Sequence, residues 1–462
     1  MAKYRILFFG FFAVIAVYVA FIIPQANSGV LLGVMLGLLA GIISFFRIEF
    51  GIYILVFSML LSPEIKLAAI PGRDVVIRLD DFILFIVFFA WFARVAIDKS
   101  IGLLKNTPLT FPVIAYTLAC IVFTLKGIIT GDVNPAKSFF YVLKYVEYFL
   151  LFFMVSNVVK DEKDVKRYLY AALITLVIVT IYCYTQLGTG VRITAPFEDP
   201  LGVVSTAGEP ASLGGYFVIA LAIFAAVMLN YKSKLVKLLA LSAFLLVMPP
   251  FSQTLSRASY ISFAVMLLFT LFLTKKNRLA YFLILAAAII IVPLVIPGNI
   301  TGRVQETFQG QQIETGMGKV NFDESSMARI ESWKNLITVK LPKHLLTGYG
   351  VTGVSFIDGQ YFTVLGEVGI IGFLLFAWMI TAILKMGYKT YKNGQTEFTK
   401  SIAFGFTVSF IALLFQALTA NTFIIVRVME PFWFLAALVA VLNREVTANI
   451  PEKQKQEKIK AF

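Results

Sequence analysis

Charged residues are scarce in this sequence of 462 residues. They make up 14% of the chain, against about 25% in a typical soluble domain, while 59% of the residues are hydrophobic. The mean hydropathy is +0.86. This composition excludes an ordinary water-soluble globule, because the few polar side chains cannot cover so much apolar surface. It indicates a membrane protein that buries the surplus in lipid.

Cysteine and histidine are rarer still, with two Cys and one His. Cys120 and Cys183 lie in apolar runs, without the CxxC or Cys/His spacing typical of redox and metal sites. His344 alone cannot build a zinc site. We therefore expect no disulfide framework, no metal and no cofactor. The formal charge of +14 does not indicate nucleic acid here, since much of it belongs to cytoplasmic loops of a membrane protein.

Hydrophobic runs close to the ~20 residues that cross a bilayer recur along the whole chain. The first is followed by Pro24-Gln25-Ala26-Asn27 and another apolar run, so we expect a retained helix rather than a cleaved signal peptide. The sequence predicts an all-α, polytopic bundle of about 12–14 spans. The predicted spans are 6–23, 29–46, 49–62, 80–97, 109–127, 137–157, 168–187, 211–230, 234–250, 257–274, 279–296, 359–383, 401–421 and 424–443.

Basic residues orient the bundle. With the N-terminus inside, most of the 40 Lys and Arg fall in short inner loops, which follows the positive-inside bias and leaves both termini cytoplasmic. The chain then divides into four parts: spans with short loops and one outer loop near 188–210 (1–296), a large, partly helical periplasmic loop (297–358), C-terminal spans (359–450) and a charged, disordered cytoplasmic tail (451–462). The apolar periodicity over Ser325–Leu341 predicts an amphipathic helix in the large loop.

Five arginines are predicted to gather on the outer side. Their guanidinium groups offer planar forks of donors that match phosphate oxygens, and they stay charged at any relevant pH. The alternative is that each one snorkels to the lipid headgroups or pairs with a nearby acid. These arginines are Arg192, Arg257, Arg303, Arg329 and Arg427.

The run from Asp358 to Gly372 carries the second group of candidates. Asp358 is either the cap of the following helix or a base. Glu367 lies roughly 13 Å deeper, where a buried carboxylate is a functional candidate by default. Glycines at three-residue spacing predict close helix packing; they are Gly366, Gly369 and Gly372.

Other polar residues have a structural and a functional interpretation. His344 is either a surface histidine at a helix end or a group that titrates near neutral pH, and Gly348 and Gly350 predict a tight turn back into the bilayer. Lys144 and Glu147 share a helix face, so they pair with each other or line a polar cavity. Asp80 and Asp81 follow Arg78 and indicate a capped helix start.

The order of these motifs resembles the bacterial O-antigen polymerase/ligase family, by motif over roughly 180–385 and by hydropathy elsewhere. An outer-loop Arg precedes a Pro and an aromatic residue, and a Ser-Arg-small motif opens a helix. The large loop carries Ser-Ser-x-x-Arg-x-x-x-Trp and ends in Gly-x-Gly before Asp-x-x-Tyr and Glu-x-Gly-x-x-Gly. The residues concerned are Arg192, Pro196, Phe197, Ser256, Arg257, Ala258, Ser325, Ser326, Arg329, Trp333, Gly348, Gly350, Asp358, Tyr361, Glu367, Gly369 and Gly372.

The resemblance implies a metal-independent, inverting glycosyltransferase of the bacterial inner membrane. The donor implied is a glycan on undecaprenyl pyrophosphate, and the acceptor is a lipid or a glycan. Arg192 and Arg257 would hold the pyrophosphate, and Asp358 would help to deprotonate the acceptor. Substrate contacts are expected from Arg329, Arg303, Tyr361, His344 and Glu367. The O-antigen ligase branch resembles this pattern with His at position 358, so Asp358 favours a polymerase.

Two other classes of function remain open. A transporter or flippase of polysaccharide precursors is suggested by Lys144, Glu147 and Glu367, although transporters usually show internal repeats that this sequence does not display. A structural or sensory membrane protein is the third. Polymerase and ligase are not separated by the sequence, and other polysaccharide-assembly proteins are possible partners.

Overall fold

The structure is a computed structural model that describes residues 28–68, 75–98, 105–188, 192–197, 210–274, 311–315, 318–322, 324–354 and 357–460. The predicted spans 6–23 and 279–296, the beginning of the large loop and Arg303 lie outside the described residues. Every other predicted span coincides with a helix.

The described chain is an all-α bundle with two small hairpins. Its helices are α1 (Ser28–Phe46), α2 (Ile48–Leu61), α3 (Leu79–Ile97), α4 (Thr110–Thr130), α5 (Pro135–Val158), α6 (Glu162–Thr185), α7 (Pro210–Asn230), α8 (Lys234–Gln253), α9 (Arg257–Leu273), α10 (Glu324–Asn335), α11 (Gln360–Asn393), α12 (Glu397–Gln416) and α13 (Val426–Lys460). Eight of these are long and apolar enough to cross a membrane by length and composition. The expected polytopic bundle is thus confirmed.

The two antiparallel hairpins were not expected from the sequence. The first pairs β1 (Glu64–Ala68) with β2 (Val75–Arg78), and the second pairs β3 (Gln311–Thr315) with β4 (Gly318–Phe322). Both lie in connections between helices. Strands of four or five residues give too short an alternating pattern to stand out from loop sequence.

Helices α7, α12 and α13 form the centre of the bundle. Their apolar residues are buried around most of the helix circumference, as expected for helices surrounded by other helices rather than by lipid. Phe410 stacks on Phe432 with ring centroids 5.0 Å apart. Gly405 faces the backbone of α7 at Ala222 and Ile223, so a side chain there would push the two helices apart.

One end of the bundle, which we call the site end, gathers the candidate residues. It contains the C-terminal ends of α2, α4, α6, α8 and α12 and the N-terminal ends of α3, α5, α7, α9, α11 and α13. Hydrogen bonds join these ends: the Ser62 hydroxyl accepts from the backbone amide of Asp80, the side-chain amide of Gln416 donates to the Ala211 carbonyl, and the backbone amide of Val351 donates to the Thr124 hydroxyl.

Helix α11 is broken at Gly369, which has φ +64° and ψ −168°. The segment 345–350 fills the break. The amides of Tyr349 and Gly350 donate to the carbonyls of Gly366 and Glu367, and the amides of residues 370 and 371 donate to the carbonyls of residues 345 and 346, at 2.7 to 3.1 Å. This pairing supplies the backbone hydrogen bonds that a helix loses at a break inside the membrane.

The interpretation of the glycines at 366, 369 and 372 as one packing stripe was therefore only partly right. Gly366 does face Leu336 and Val354, whereas Gly369 allows the break itself, since its positive φ is costly for other residues. The tight turn predicted at Gly348 and Gly350 is confirmed by φ values of +64° and +93°.

Three further predictions need correction. Asp358 does not cap α11, because Gly359 occupies the N-cap position with φ +113° and without a side-chain cap. The tail was expected to be disordered from residue 451, but α13 continues to Lys460. The amphipathic helix of the large loop ends at Asn335 and passes into a wider π turn over Leu336–Lys340 and a 3₁₀ turn over Leu341–His344.

Candidate functional site

Arg192 is bound to the turn between α8 and α9. Its Nε donates to the Thr254 carbonyl at 3.2 Å and its terminal nitrogen donates to the Leu255 carbonyl at 3.1 Å. Leu255 has φ +49°, an uncommon conformation for a residue with a β-carbon. The guanidinium of Arg192 thus holds the turn that leads into α9, so the structure places these two predicted arginines at the same turn.

Arg257 is the first residue of α9. Ser256 caps this helix, because its hydroxyl accepts from the amide of Ser259 at 3.3 Å. A half-buried arginine therefore stands at a helix N-terminus, where the free amides and the helix dipole already favour an anion. The arrangement concentrates positive potential at this point of the site end.

Asp358 is paired with Arg329 at the start of α11. The Nε of Arg329 and the Oδ2 of Asp358 are 2.9 Å apart, and both side chains remain about one third exposed, at 27% and 32%. The indole of Trp333 donates to the Asp358 carbonyl at 2.6 Å and stacks on Phe362 with ring centroids 4.6 Å apart. Helix α10 thereby holds Asp358 in place through two side chains one turn apart.

The C-terminal end of α12 joins the arginine pair to Asp358. The buried amide of Gln416 donates to the Ser259 hydroxyl of α9 at 3.3 Å. The next residue, Ala417, accepts from the amide of Gln360 at 2.9 Å. Ser259 and Gln360, which are bound to this helix end, each lie two residues after a predicted catalytic residue, Arg257 and Asp358 respectively. The predicted catalytic residues therefore share one region of the site end.

Glu367 and Tyr361 are engaged in contacts with the backbone. Glu367 is 6% exposed, and its Oε1 accepts from the amide of Thr352 at 2.7 Å. Thr352 has φ +70°, and its hydroxyl bonds Ser138 of α5 at 2.9 Å. Tyr361 donates to the Leu414 carbonyl at 2.7 Å. These contacts hold the end of the large loop, and substrate contact by either residue stays a prediction.

His344 belongs to a separate polar group around the end of α4. Lys126 Nζ lies 3.1 Å from its Nδ1 and donates to Thr347 at 2.9 Å, and the Oδ2 of Asp132 lies 3.7 Å from its Nε2. Burial and, secondarily, the Asp132 carboxylate raise the pKa of Tyr349, whose hydroxyl donates to the Lys340 carbonyl at 2.9 Å. These contacts all lie within the protein, so a substrate contact by His344 stays a prediction.

Arg427 does not belong with the exposed arginines. It is 2% exposed and donates to the carbonyls of Leu60 and Ser62 at 3.0 and 3.5 Å. This residue ties the beginning of α13 to the end of α2, so the sequence interpretation of Arg427 as part of an outward cluster was wrong. Burial could not be read from its position near the end of an apolar run.

Three residues of the site end were missed at the sequence level, namely Lys126, Thr352 and Gln416. Two of them carried a usable signal, because a lysine and a glutamine inside spanning helices are costly and usually have a defined partner. Thr352 carried none, since its role depends on a left-handed backbone and a distant carboxylate. The sequence interpretation therefore gave too little weight to polar residues inside apolar runs.

The helices and their polar site end define a polytopic membrane protein with its candidate site at one membrane face. A model of the O-antigen ligase family matches residues 253–377. The match runs from the end of α8 into α11 and includes Arg257, Arg329, Asp358 and Glu367, while Arg192 lies before it. It confirms the resemblance to the O-antigen polymerase/ligase family and supports a function of that type. No curated protein matches the chain.

Proposed function

We propose that this protein is a glycosyltransferase that moves a glycan from undecaprenyl pyrophosphate to a sugar acceptor at the periplasmic face of the inner membrane. The observation that carries the proposal is the Arg192–Arg257 pair at the start of α9, linked through Gln416 to Asp358. The site end would face the periplasm, with both termini in the cytoplasm, as the basic loops indicate.

The arginines would stabilise the leaving group. When the bond between the sugar and the pyrophosphate breaks, negative charge develops on the diphosphate, and preorganised guanidinium groups offset it without reorganising. The donor is already activated, so neither a nucleotide nor a metal is needed in this scheme. A site at the membrane surface also suits a donor whose polyprenyl tail stays among the lipids.

Asp358 would take the proton of the acceptor hydroxyl. Its carboxylate is accessible and is oriented by Arg329, and such positioning is what a general base requires. The acceptor oxygen bonds to the anomeric carbon on the face opposite to the leaving pyrophosphate, which gives inversion.

Replacing Asp358 by asparagine is expected to reduce glycan transfer by about 10²–10⁴-fold, the usual contribution of general base catalysis. Asparagine retains the shape of the side chain and cannot accept the proton. Transfer is measured with purified protein and a lipid-linked donor. Glu331→Gln, at an exposed position on the same helix as Arg329, is the control and should transfer normally. Undiminished transfer by the Asp358 variant would remove this residue from the mechanism.

Deletion of the gene tests the overall activity and separates its two forms. A polymerase joins repeat units on the carrier, so its loss should leave single units on undecaprenyl pyrophosphate. A ligase transfers finished chains, so its loss should leave full-length chains on the carrier. Mass spectrometry of extracted lipid-linked glycans distinguishes the two. Asp358 favours the first result, and an unchanged pool of both species would contradict the proposal.

A transporter is the second candidate, because α11 is interrupted at Gly369 and broken helices occur at transport sites. The break is filled by the segment 345–350, however, which leaves its backbone groups bonded within the protein. Liposomes containing the protein and a labelled lipid-linked sugar decide between the two. Movement of label across the bilayer without any change in glycan length would favour the transporter.

A further inference from the structure

Seven charged side chains meet where α3, α5 and α13 pack together, on helices that supply none of the proposed substrate contacts. All except Lys144 are at most 4% exposed. The seven are Arg78, Asp80, Asp81, Lys144, Glu147, Arg427 and Glu430. The pairing expected of Lys144 and Glu147 is confirmed at 3.1 Å, and so is the capped start of α3, where Asp81 accepts from the amide of Arg78 at 2.9 Å.

Carboxylates outnumber cations in this cluster. Arg78 pairs with Asp80 at 2.6 Å, and Lys144 pairs with Asp81 at 2.5 Å as well as with Glu147. The described side chains still include four carboxylates against three cations when Arg427 is counted. An uncompensated charge removed from water costs several kcal/mol, so the excess carboxylate must either carry a proton or bind a cation.

The positions of three carboxylate oxygens indicate where a cation would bind. Asp80, Asp81 and Glu430 each present one carboxylate oxygen, and these oxygens all lie within 4.8 Å of one another. The Oε2 of Glu430 and the Oδ1 of Asp80 are buried, and no donor group of the described residues forms a hydrogen bond with either oxygen. Oxygens that share one Ca²⁺ at about 2.3–2.6 Å are separated by no more than about 5 Å, so the spacing suits that ion.

We propose that Asp80, Asp81 and Glu430 bind a divalent cation of the calcium type. Calcium accepts irregular sets of oxygen ligands, whereas magnesium demands near-ideal octahedral geometry and gives up its water reluctantly. The ion is structural and takes no part in glycan transfer. The proposal therefore does not rest on the proposed function.

The bound cation fastens the beginning of α13 to α3. The segment that leads into α13 also supports the start of α11: the side-chain amide of Asn421 donates to the Ile357 carbonyl at 2.7 Å, and the Gln360 side chain accepts from the backbone amide of Phe423 at 3.0 Å. Loss of the ion should thus loosen the support of the Asp358 segment.

Calcium binding to the full-length protein in detergent tests the proposal. After removal of metals with a chelator, equilibrium dialysis against Ca²⁺ should recover one tightly held ion per chain. Thermal unfolding should shift upwards by about 3 °C at saturating Ca²⁺. Glu430→Gln removes a ligand while keeping its shape, and should weaken binding at least about tenfold. Glu331→Gln, outside the cluster, should bind as the unaltered chain does.

The result that overturns the proposal is a protein that holds no Ca²⁺ after dialysis and unfolds at the same temperature with and without it. The carboxyls of Asp80 and Glu430 would then share a proton instead. Equal Ca²⁺ binding by the unaltered chain and Glu430→Gln would also overturn it. Asp81→Asn gives a second variant if Glu430→Gln does not fold, and the dialysis of the unaltered chain needs neither.

Discussion

Replacing Arg257 by alanine is expected to abolish surface polysaccharide while the protein remains in the membrane at its normal level. The guanidinium stands at the N-terminus of α9, beside Arg192, where it would meet the departing diphosphate. Removing one preorganised charge-stabilising group typically costs about 10²–10³-fold in rate. Polysaccharide on the cell surface and transfer by the purified protein provide the two readouts.

Two control variants sharpen this prediction. Arg257→Lys keeps the charge but loses the planar fork, so it should restore only part of the activity. Arg167→Ala removes an exposed arginine at the other end of the bundle, where the residue pairs with Asp164 on its own helix, and should leave activity unchanged. Normal polysaccharide in the Arg257→Ala strain would contradict the proposed role.

Replacing Gly369 by alanine is expected to destabilise the protein by roughly 3 kcal/mol, because it combines a left-handed backbone with a steric collision. A β-carbon at this position would lie 2.5 Å from the carbonyl group of Leu346 and 2.6 Å from the amide nitrogen of Gly348. Backbone atoms cannot move aside as a flexible side chain can. The break in α11 and the segment that fills it should therefore separate.

Gly131→Ala provides a matched control for the steric part of this effect. Gly131 has φ +77°, but a β-carbon there would meet nothing within 4 Å. Its replacement should cost only the backbone strain, about 1–2 kcal/mol. Thermal unfolding in detergent compares the two variants. If Gly369→Ala were no less stable than Gly131→Ala, the packed break would not be an important element of the fold.

The sequence predicted the spans well because each depends on one local property, a run of apolar residues about as long as the bilayer is thick. It also identified the turn at Gly348 and Gly350 and the pairing of Lys144 with Glu147, which depend on close spacing. The break at Gly369 escaped it. A glycine that packs and a glycine that interrupts a helix look alike until the segment 345–350 is known to lie beside it.

The candidate site was predictable as a set of residues but not as an arrangement. Arg192 and Arg257 are 65 positions apart, and their proximity arises from bonds to the Thr254 and Leu255 carbonyls. Arg427 resembled them in sequence and turned out to be buried against the end of α2. The pairing of Arg329 with Asp358 likewise required the path of the large loop. Long-range packing decides which charges are available to a ligand.

The most direct test of the central claim is binding of undecaprenyl pyrophosphate to the purified full-length protein, compared with the same lipid bearing a single phosphate. We expect the pyrophosphate lipid to bind more tightly. Combined replacement of Arg192 and Arg257 by alanine should weaken its binding by roughly 10²–10⁴-fold and remove the preference, since hydrogen bonds to charged groups contribute about 1.5–3 kcal/mol each. Equal binding of the pyrophosphate lipid by the unaltered protein and the double variant would contradict it.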